Sequence, residues 1–167
     1  MNLDEGKLLV KCARSAISSV LKGDKIVIPN LKWNYGVFVN LLDKDKVVSS
    51  MGMLELKRPL GDAVVNLTKM AAFNDQISIK DLDGIKIEIN LLKERELIKV
   101  KFPDEYKDKI VLGKHGVMVE CEDVRDLLLP RVAVDHNLDF VGYLDSLCDK
   151  AGLIPETWKE IKACKIY

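Results

Sequence analysis

The sequence predicts an α+β protein with a mostly antiparallel sheet and flanking helices. Segments with helical periodicity and segments with strand periodicity arrive in blocks, and the links between consecutive predicted strands are short. Short links favour hairpins, because parallel strands need a crossover of about a dozen residues or more. The chain of 167 residues has no repeat of fixed period and no long linker. This predicts one domain over residues 1–167, with two intertwined lobes as the open alternative.

Two long helices are predicted in the first half of the chain. Apolar residues recur at helical spacing over residues 3–21, preceded by Asn2 and Glu5 in the pattern of a capping box and followed by Gly23 as a stop. A second amphipathic helix is predicted over residues 59–75, because a proline at its start precedes an apolar stripe.

Strand patterns flank the second helix. Two β-rich runs, residues 35–42 and 47–54, are joined by a polar link and predict an antiparallel hairpin. Residues 85–91 alternate between apolar and polar side chains, which predicts a strand with one wet face carrying Glu88 and Asn90. The carboxylates of Glu88 and of Asp75, at the end of the second predicted helix, are candidates for general acid or base catalysis, with solvated polar faces as the alternative.

The C-terminal part of the chain is predicted to combine short strands with shorter helices. Three further strands are predicted, at residues 97–102, 110–112 and 117–121. A glycine-flanked turn at 113–116 is expected to join the last two. A short helix is predicted to start at Arg131, after a proline, and Asp139 is placed to cap a longer one.

The charge balance argues against a general attraction to polyanions. Lysine plus arginine and aspartate plus glutamate are equal at 26 each, so no net field draws the chain to nucleic acid or to an anionic membrane. No apolar run reaches the ~18 to 20 residues of a spanning helix, and residues 1–11 carry charges where a signal peptide is apolar. The sequence therefore predicts a cytoplasmic protein without nucleic-acid or membrane partners.

Four cysteines, Cys12, Cys121, Cys148 and Cys164, lie far apart in the sequence and form no Cys-x-x-Cys pair. This spacing predicts neither a zinc knuckle nor a redox motif, and reduced thiols are expected. Cys12 and Cys148 fall on apolar helical stripes, which predicts buried and unreactive side chains.

Motifs in a fixed order cover nearly the whole chain. They read Gly-Val-Phe-Val-Asn-Leu at 36–41, Ala-Ala-Phe-Asn-Asp at 71–75, Lys-His-Gly-Val at 114–117, Leu-Leu-Leu-Pro-Arg-Val-Ala at 127–133, and Leu-Asp-Ser-Leu-Cys-Asp-Lys-Ala-Gly-Leu at 144–153 before Trp158. In order and spacing they resemble the AMMECR-one family, also known as protein A of the AmmeMemoRadiSam system. The resemblance implies a two-lobed α+β fold and an association, by family name, with Memo-like and radical SAM proteins. It implies no particular reaction, cofactor or oligomeric state, so whether the protein is an enzyme is left open.

One motif departs from that family. The family sequence Leu-Arg-Gly-Cys-Ile-Gly aligns with residues 47–52, which read Val-Val-Ser-Ser-Met-Gly, so only Gly52 is retained. Val48 offers no charge where the family has an arginine, and Ser50 offers no thiolate where the family has a cysteine. We therefore expect a structural or ligand-contact role for Ser50. Nucleophilic catalysis is the alternative, and it requires a base within hydrogen-bond reach.

The leading functional hypothesis is a small-molecule or peptide cleft between two lobes. Its candidate lining is Ser50, Met51, Gly52, His115 and Gly116, with Ser50 and His115 as neighbours. The rival hypothesis is a noncatalytic interaction module that presents the same surface to a protein partner, which the loss of the motif's arginine and cysteine favours. A deep pocket with polar groups would support the first, and a flat apolar patch the second.

Other candidate residues also have structural alternatives. His115 is a candidate acid, base or metal ligand in a glycine-flanked turn, and the alternative is a hydrogen bond to a nearby carbonyl. Arg131, where the family usually has glutamine, is a candidate anion-binding residue of the same cleft, and the alternative is a solvated first-turn side chain. His136 lies between two aspartates without a second histidine, so no metal site is predicted. Trp33, Tyr35 and Phe38 are expected to pack rather than to stack on bases, because no basic groove accompanies them.

Overall fold

The computed structural model describes residues 1–74, 79–80 and 84–167 and divides into two units, residues 1–94 and 95–167. Each unit holds a three-stranded antiparallel sheet accompanied by helices, so the predicted α+β class is confirmed. Within the described ranges, no helix combines the length and the apolar composition needed to cross a membrane.

The first unit starts with the amphipathic helix α1, Leu3–Lys22. Its capping box is formed as predicted, because the Asn2 side chain accepts from the Glu5 N–H and the Glu5 carboxylate accepts from the Asn2 N–H. The helix ends at Gly23, whose φ of 77° is a left-handed conformation that glycine adopts without steric cost.

Helix α2, Leu60–Ala72, follows Pro59, whose fixed φ suits a helix start. Its buried face packs against α1 and against the sheet of this unit. Asp75, which the sequence pattern places at the end of this helix, lies outside the described residues.

The sheet of the first unit has the order β2-β1-β3, with β1 at Val37–Asp43, β2 at Lys46–Met53 and β3 at Ile85–Leu91. The central strand β1 pairs antiparallel with both neighbours. The predicted hairpin of β1 and β2 is confirmed. Its turn consists of Lys44 and Asp45, both with positive φ, and is tighter than the four-residue link that the sequence suggests.

One face of this sheet packs against the two helices. Val37, Val39 and Leu41 of β1 are fully buried, in a cluster with aliphatic residues of α1 and α2. Because strand side chains alternate between the two faces, Phe38 and Asn40 face the other way. That second face, called the outer face below, carries the candidate site of this unit.

The second unit is built on the sheet β5-β4-β6. Its strands are β4 at Val117–Cys121, β5 at Val124–Leu128 and β6 at Cys164–Ile166, and its helices are α3 at Pro130–Asp135 and α4 at Phe140–Lys150. Two short 3₁₀ helices, Pro103–Asp108 and Thr157–Lys159, complete it. The core of this unit contains the large side chains of Tyr106, Tyr143 and Trp158, each of which is at most 2% exposed.

Two strand predictions in this unit are wrong. Residues 97–102 form no strand, although the Ile98 N–H donates to the carbonyl of Ile166, the last residue of β6. Residues 110–112 leave the first 3₁₀ helix, where the Ile110 N–H still bonds to the carbonyl of residue 106. Some of their apolar side chains pack on the core without strand pairing, namely those of Ile98, Val100, Ile110 and Leu112.

The turn at 113–116 does not join two strands. The sequence neighbour that pairs with β4 is β5, reached through the two residues Glu122 and Asp123. Glu122 has a φ of 51°, which supplies the left-handed backbone that such a tight turn needs. Neither β5 nor the three-residue strand β6 is predicted from the sequence pattern.

The expectation of reduced thiols is wrong for Cys121 and Cys164, which form a disulfide. The register of β4 and β6 places them opposite each other with Cα atoms 4.4 Å apart, the spacing of a non-hydrogen-bonded antiparallel pair. Their separation of 43 residues hides this pairing in the sequence. Cys12 and Cys148 are free and buried, and burial raises the pKa of both thiols.

Candidate functional site

The outer face of the first unit brings three strands' polar side chains into one row. In the strand register, Asn40 of β1 lies directly opposite Ser50 of β2 on one side and Glu88 of β3 on the other. Directly opposed residues share a face, so the three side chains project together. Asn90 lies two residues along β3 and joins the same face.

Hydrogen bonds connect these four side chains, which we call the polar row. The Ser50 hydroxyl donates to Oδ1 of Asn40 at 2.7 Å, and Nδ2 of Asn40 donates to Oε1 of Glu88 at 2.9 Å. Nδ2 of Asn90 donates to the same Glu88 oxygen at 2.8 Å. Asn40 is 3% exposed, whereas Ser50 is exposed. The row therefore runs from a buried centre to a surface hydroxyl.

The charge of Glu88 sets the direction of every hydrogen bond in the row. An ionised carboxylate only accepts, so the NH₂ group of Asn40 must point at Glu88. The carbonyl oxygen of the same amide then faces Ser50, and the Ser50 hydroxyl must donate its single proton to it. No described residue donates to the Ser50 hydroxyl oxygen, so this serine offers an acceptor at the surface.

The same geometry argues against nucleophilic catalysis at Ser50. Its proton is directed at an amide oxygen, which is too weakly basic to remove it, and Glu88 reaches the hydroxyl only through Asn40. General-base activation needs direct contact or one bridging water. The ligand-contact interpretation of Ser50 is therefore the one that this arrangement supports.

Gly52 provides space for an aromatic ring on the outer face. It lies opposite Phe38 in the register, and the Phe38 ring lies so close to Gly52 that an added Cβ would overlap the ring atoms. Gly52 does not have a positive φ, so close approach, and not backbone conformation, requires the glycine. The polar row and the Phe38 ring lie side by side.

Met51 does not share this face. Strand alternation turns it inward, where its half-buried side chain packs on the core cluster of the first unit. Of the three consecutive candidate residues on β2, only Ser50 and Gly52 are placed to meet a ligand at the outer face.

His115 of the second unit is held by backbone groups of its own turn. Its Nδ1 accepts from the Val111 N–H at 3.2 Å, and its own N–H donates to the Val111 carbonyl at 2.9 Å. The ring thus accepts from an N–H, and the expected alternative of a bond to a carbonyl is not what is observed. A neutral ring in this position carries its proton on Nε2, which makes it a hydrogen-bond donor there.

The backbone beside His115 is fixed by a buried tyrosine. The Tyr143 hydroxyl lies 3.1 to 3.3 Å from the carbonyl oxygens of His115, Leu128 and Leu129. Tyr143 is 0% exposed, and burial raises the pKa of its phenol strongly. At Gly116 an added Cβ would meet the Leu128 carbonyl oxygen at 3.2 Å, so this glycine also serves a close approach.

Arg131 is engaged within its own helix. Its Nε lies 2.6 Å from Oδ2 of Asp135, one helical turn further on, and both side chains are about one-third exposed at most. This ion pair partly neutralises the guanidinium as an anion site. Asp139 caps α4 by accepting from the Gly142 N–H at 2.8 Å. No group of potential ligands near His136 or elsewhere among the described residues has the composition of a metal site.

The candidate residues thus fall into two groups. Ser50 and Gly52 share the outer face of the first unit, whereas His115, Gly116 and Arg131 lie in the second unit; the proximity of Ser50 to His115 stays a prediction. The sequence pattern did not single out Asn40, the residue that connects Ser50 to Glu88. Alternation and the turn length alone do not give this pairing, because a two-residue turn with regular pairing would place residue 40 opposite residue 49. A register shift between Leu41 and Leu42 moves the partner of Asn40 to Ser50.

Comparison with known proteins identifies relatives along the whole chain. The AMMECR1 family model matches residues 10–167. Protein MJ0810 of Methanocaldococcus jannaschii is 36% identical over 178 aligned residues, covering 100% of this chain and 88% of that protein. Protein MK0488 of Methanopyrus kandleri is 34% identical over 179 residues, covering 100% and 86%. The crystal structure of the uncharacterized protein PH0010 from Pyrococcus horikoshii matches with a TM-score of 0.86 and 30% identity over 100% of this chain and 89% of that one. Because the family model and these relatives extend over nearly all of the sequence, the chain belongs to the AMMECR1 family.

Proposed function

We propose that the outer face of the first unit is a ligand-contact surface for a small molecule or peptide that bears a hydrogen-bond donor. The direction of the polar row supports this proposal. The chain from Glu88 through Asn40 commits the Ser50 proton inward and leaves an acceptor facing outward. The Phe38 ring beside it supplies apolar contact area. The protein binds at Ser50 and does not use it as a nucleophile.

The family association extends the proposal to a pathway. We place the protein in the cytoplasm, in a pathway with Memo-like and radical SAM proteins, to which it contributes binding and not a reaction at Ser50. Support comes from family membership over residues 10–167 and from the replacement of the motif's arginine and cysteine by Val48 and Ser50, which removes the anion clamp and the thiolate.

Binding of a donor-bearing aromatic probe tests this proposal. N-acetylphenylalanine amide carries two N–H donor groups and a ring, and its affinity for the full chain is measured by chemical-shift titration. Ser50→Ala removes the acceptor and should weaken binding about 2- to 10-fold, the value of one hydrogen bond. Ser49→Ala is the matched control, because this neighbouring serine lies on the opposite face of β2. Equal affinities for the two variants, or no saturable shift on the outer face, would reject the proposal.

The alternative is a noncatalytic interaction module that meets a protein partner. Val47 and Val48 at the start of β2 are 36% and 39% exposed, next to the polar row, and favour a contact that extends beyond one small ligand. Val48→Lys separates the two possibilities. This variant should leave binding of the small probe unchanged. If the surface meets a protein partner, Val48→Lys and Ser50→Arg should each abolish co-purification with that partner.

A further inference from the structure

A second surface feature lies in the first unit, away from the polar row. Residues 30–35, the irregular segment before β1, form a hollow of about 410 Å³ together with Pro59 and Leu60 at the start of α2. Its size falls within the range of about 300 to 1,000 Å³ that is typical of small-molecule sites. None of the residues that support the outer-face proposal lines it.

Two aromatic rings form part of its wall. Trp33 and Tyr35 pack edge to face, with ring centroids 6.0 Å apart and planes at 79°. Trp33 also packs on the core cluster of this unit and is held there, whereas Tyr35 is 39% exposed. A ring pair fixed in this way offers apolar contact area to a flat ligand at little entropic cost.

Exposed amides supply hydrogen-bonding groups to the hollow. The indole N–H of Trp33 is not one of them, because it is closed to solvent, and it has no acceptor among the described residues. Asn30 and Asn34 are exposed at the same hollow and add amide donors and acceptors.

The hollow also has a charge preference. Among the described residues that line it, Lys32 is the one with a charge. Among the residues that the structure describes, Lys32 has no ion-pair partner and is exposed. A ligand that reaches it therefore meets a positive charge, which favours a carboxylate or phosphate on that ligand.

We propose that this hollow is a binding site for a small planar organic anion. The ring of the ligand lies against Trp33 and Tyr35, and its carboxylate or phosphate pairs with Lys32. This site is independent of the ligand-contact surface proposed for the outer face.

Two-dimensional ¹H–¹⁵N NMR of the full chain tests the site, because the protein has only two tryptophans and hence two indole signals. Trp158 is the internal control, since its N–H donates to Asp145 at 2.8 Å in the core of the second unit. The probes are 2-naphthoate and its neutral counterpart 2-naphthamide. We expect 2-naphthoate to shift the Trp33 indole signal saturably and to leave the Trp158 signal in place.

A pair of lysine variants tests the charge preference. Lys32→Met should weaken 2-naphthoate binding about two- to fivefold, as expected for an exposed ion pair, and leave 2-naphthamide binding unchanged. Lys25→Met, a change at an exposed lysine outside the hollow, should affect neither probe. Equal effects of the two lysine variants, joint movement of both indole signals, or no movement of the Trp33 signal would overturn the proposal.

Ser50→Ala separates this site from the outer face. This variant should bind 2-naphthoate like the unmodified protein. If it binds 2-naphthoate more weakly, the probe occupies the outer face and the hollow is not its site. Failure of the hollow to bind 2-naphthoate leaves the N-acetylphenylalanine amide experiment on the outer face unaffected.

Discussion

The two units use similar sheets and differ in where their polar groups are directed. In residues 1–94, aliphatic side chains of two helices cover one sheet face, and the polar row on the other face ends at an exposed serine hydroxyl. In residues 95–167, the polar groups of two large aromatic residues, Tyr143 and Trp158, are used internally. The Tyr143 hydroxyl meets backbone carbonyls, and the Trp158 N–H donates to Asp145.

The side-chain hydrogen bonds of the second unit therefore support its own structure, whereas those of the first unit lead to its surface. The second unit has short strands and an irregular course from residue 95 to 116, and the hydroxyl of its buried Tyr143 lies among carbonyl oxygens of three residues. His115 and Arg131 likewise have partners within their own local structure. The first unit satisfies its backbone through long pairings and can present side chains outward, which makes it the better candidate for ligand contact.

Opening the disulfide should have the largest effect. Replacing both Cys121 and Cys164 by serine should lower the free energy of unfolding of the second unit by about 4 kcal/mol, because the disulfide closes a 43-residue loop in the unfolded chain. Urea denaturation followed by the Trp158 signal measures this loss. Reductant should destabilise the unmodified protein similarly and leave the double variant unchanged.

Thiol titration checks the same pairing independently. The unfolded, unreduced protein should show two reactive thiols, Cys12 and Cys148, and the native protein should show none on the time scale of labelling, because both are buried and their pKa values are raised. Four reactive thiols in unreduced protein would contradict the disulfide.

Crowding the start of β1 should have the next largest effect. A Cβ at Gly36 would overlap the main-chain carbonyls of Met53 and Leu54, and main-chain atoms paired in a sheet cannot move aside cheaply. Gly36→Ala should therefore cost about 3 kcal/mol of unfolding free energy, at the upper end of overpacking effects.

Gly6→Ala is the control for this change. Gly6 lies inside α1 with no atom within 4 Å of an added Cβ, so alanine should stabilise the helix by about 0.5 to 1 kcal/mol. Thermal denaturation of both variants provides the comparison. Destabilisation of similar size in both would show that close approach at Gly36 is not the cause.

Removing the Tyr143 hydroxyl tests how far the second unit depends on internal hydrogen bonds. Tyr143→Phe should lower its unfolding free energy by about 1 to 2 kcal/mol, because the ring is retained while a group of carbonyl oxygens loses the single hydroxyl proton that they share. Urea denaturation at neutral pH gives the value. A neutral substitution would mean that the carbonyls of residues 115, 128 and 129 do not need this donor.

The same residue has a pH signature. Burial raises the pKa of Tyr143, so above pH ~10 the unfolded chain loses the phenol proton while the folded chain keeps it. The folded state then binds more protons, and stability falls as pH rises, by up to about 1.4 kcal/mol per pH unit for this group. Tyr143→Phe should have a shallower decline above pH ~10 than the unmodified protein.

Much of the first unit was predictable because its signals are local. The capping box before α1 and the alternation of residues 85–91 each require only neighbouring residues to interpret, and both elements form as predicted. β5 and β6 were not predictable in this way. β5 is five residues long without alternation and β6 is three residues long, and both are strands because β4 lies beside them.

The candidate site was predictable only in part. Alternation alone places Ser50 and Gly52 on one face of β2, but the link to Asn40 and Glu88 depends on the register. The two-residue turn sets the pairing next to it, and the register shift between Leu41 and Leu42 then moves that pairing by one residue, which the sequence pattern does not reveal. The ion pair of Arg131 with Asp135 follows from their four-residue spacing on a helix and was available in the sequence. The hydrogen bond from the Val111 N–H to the His115 ring depends on the backbone course of the turn, and it could not be predicted from the sequence.

The smallest expected effect concerns Ser50 itself. Ser50→Ala leaves Oδ1 of the buried Asn40 without its donor, which should cost about 0.5 to 1 kcal/mol because the lost bond lies next to solvent that can replace it. Ser49→Ala on the opposite face is the control for side-chain removal on this strand. The comparison with Tyr143→Phe in the second unit is the informative one, since each change deletes one hydroxyl that donates to an oxygen of a buried residue. If the polar row serves ligand contact, deleting Ser50 should cost less stability than deleting the Tyr143 hydroxyl. Equal losses in urea denaturation would show that the polar row is as structural as the tyrosine, and the distinction between the two units would then disappear.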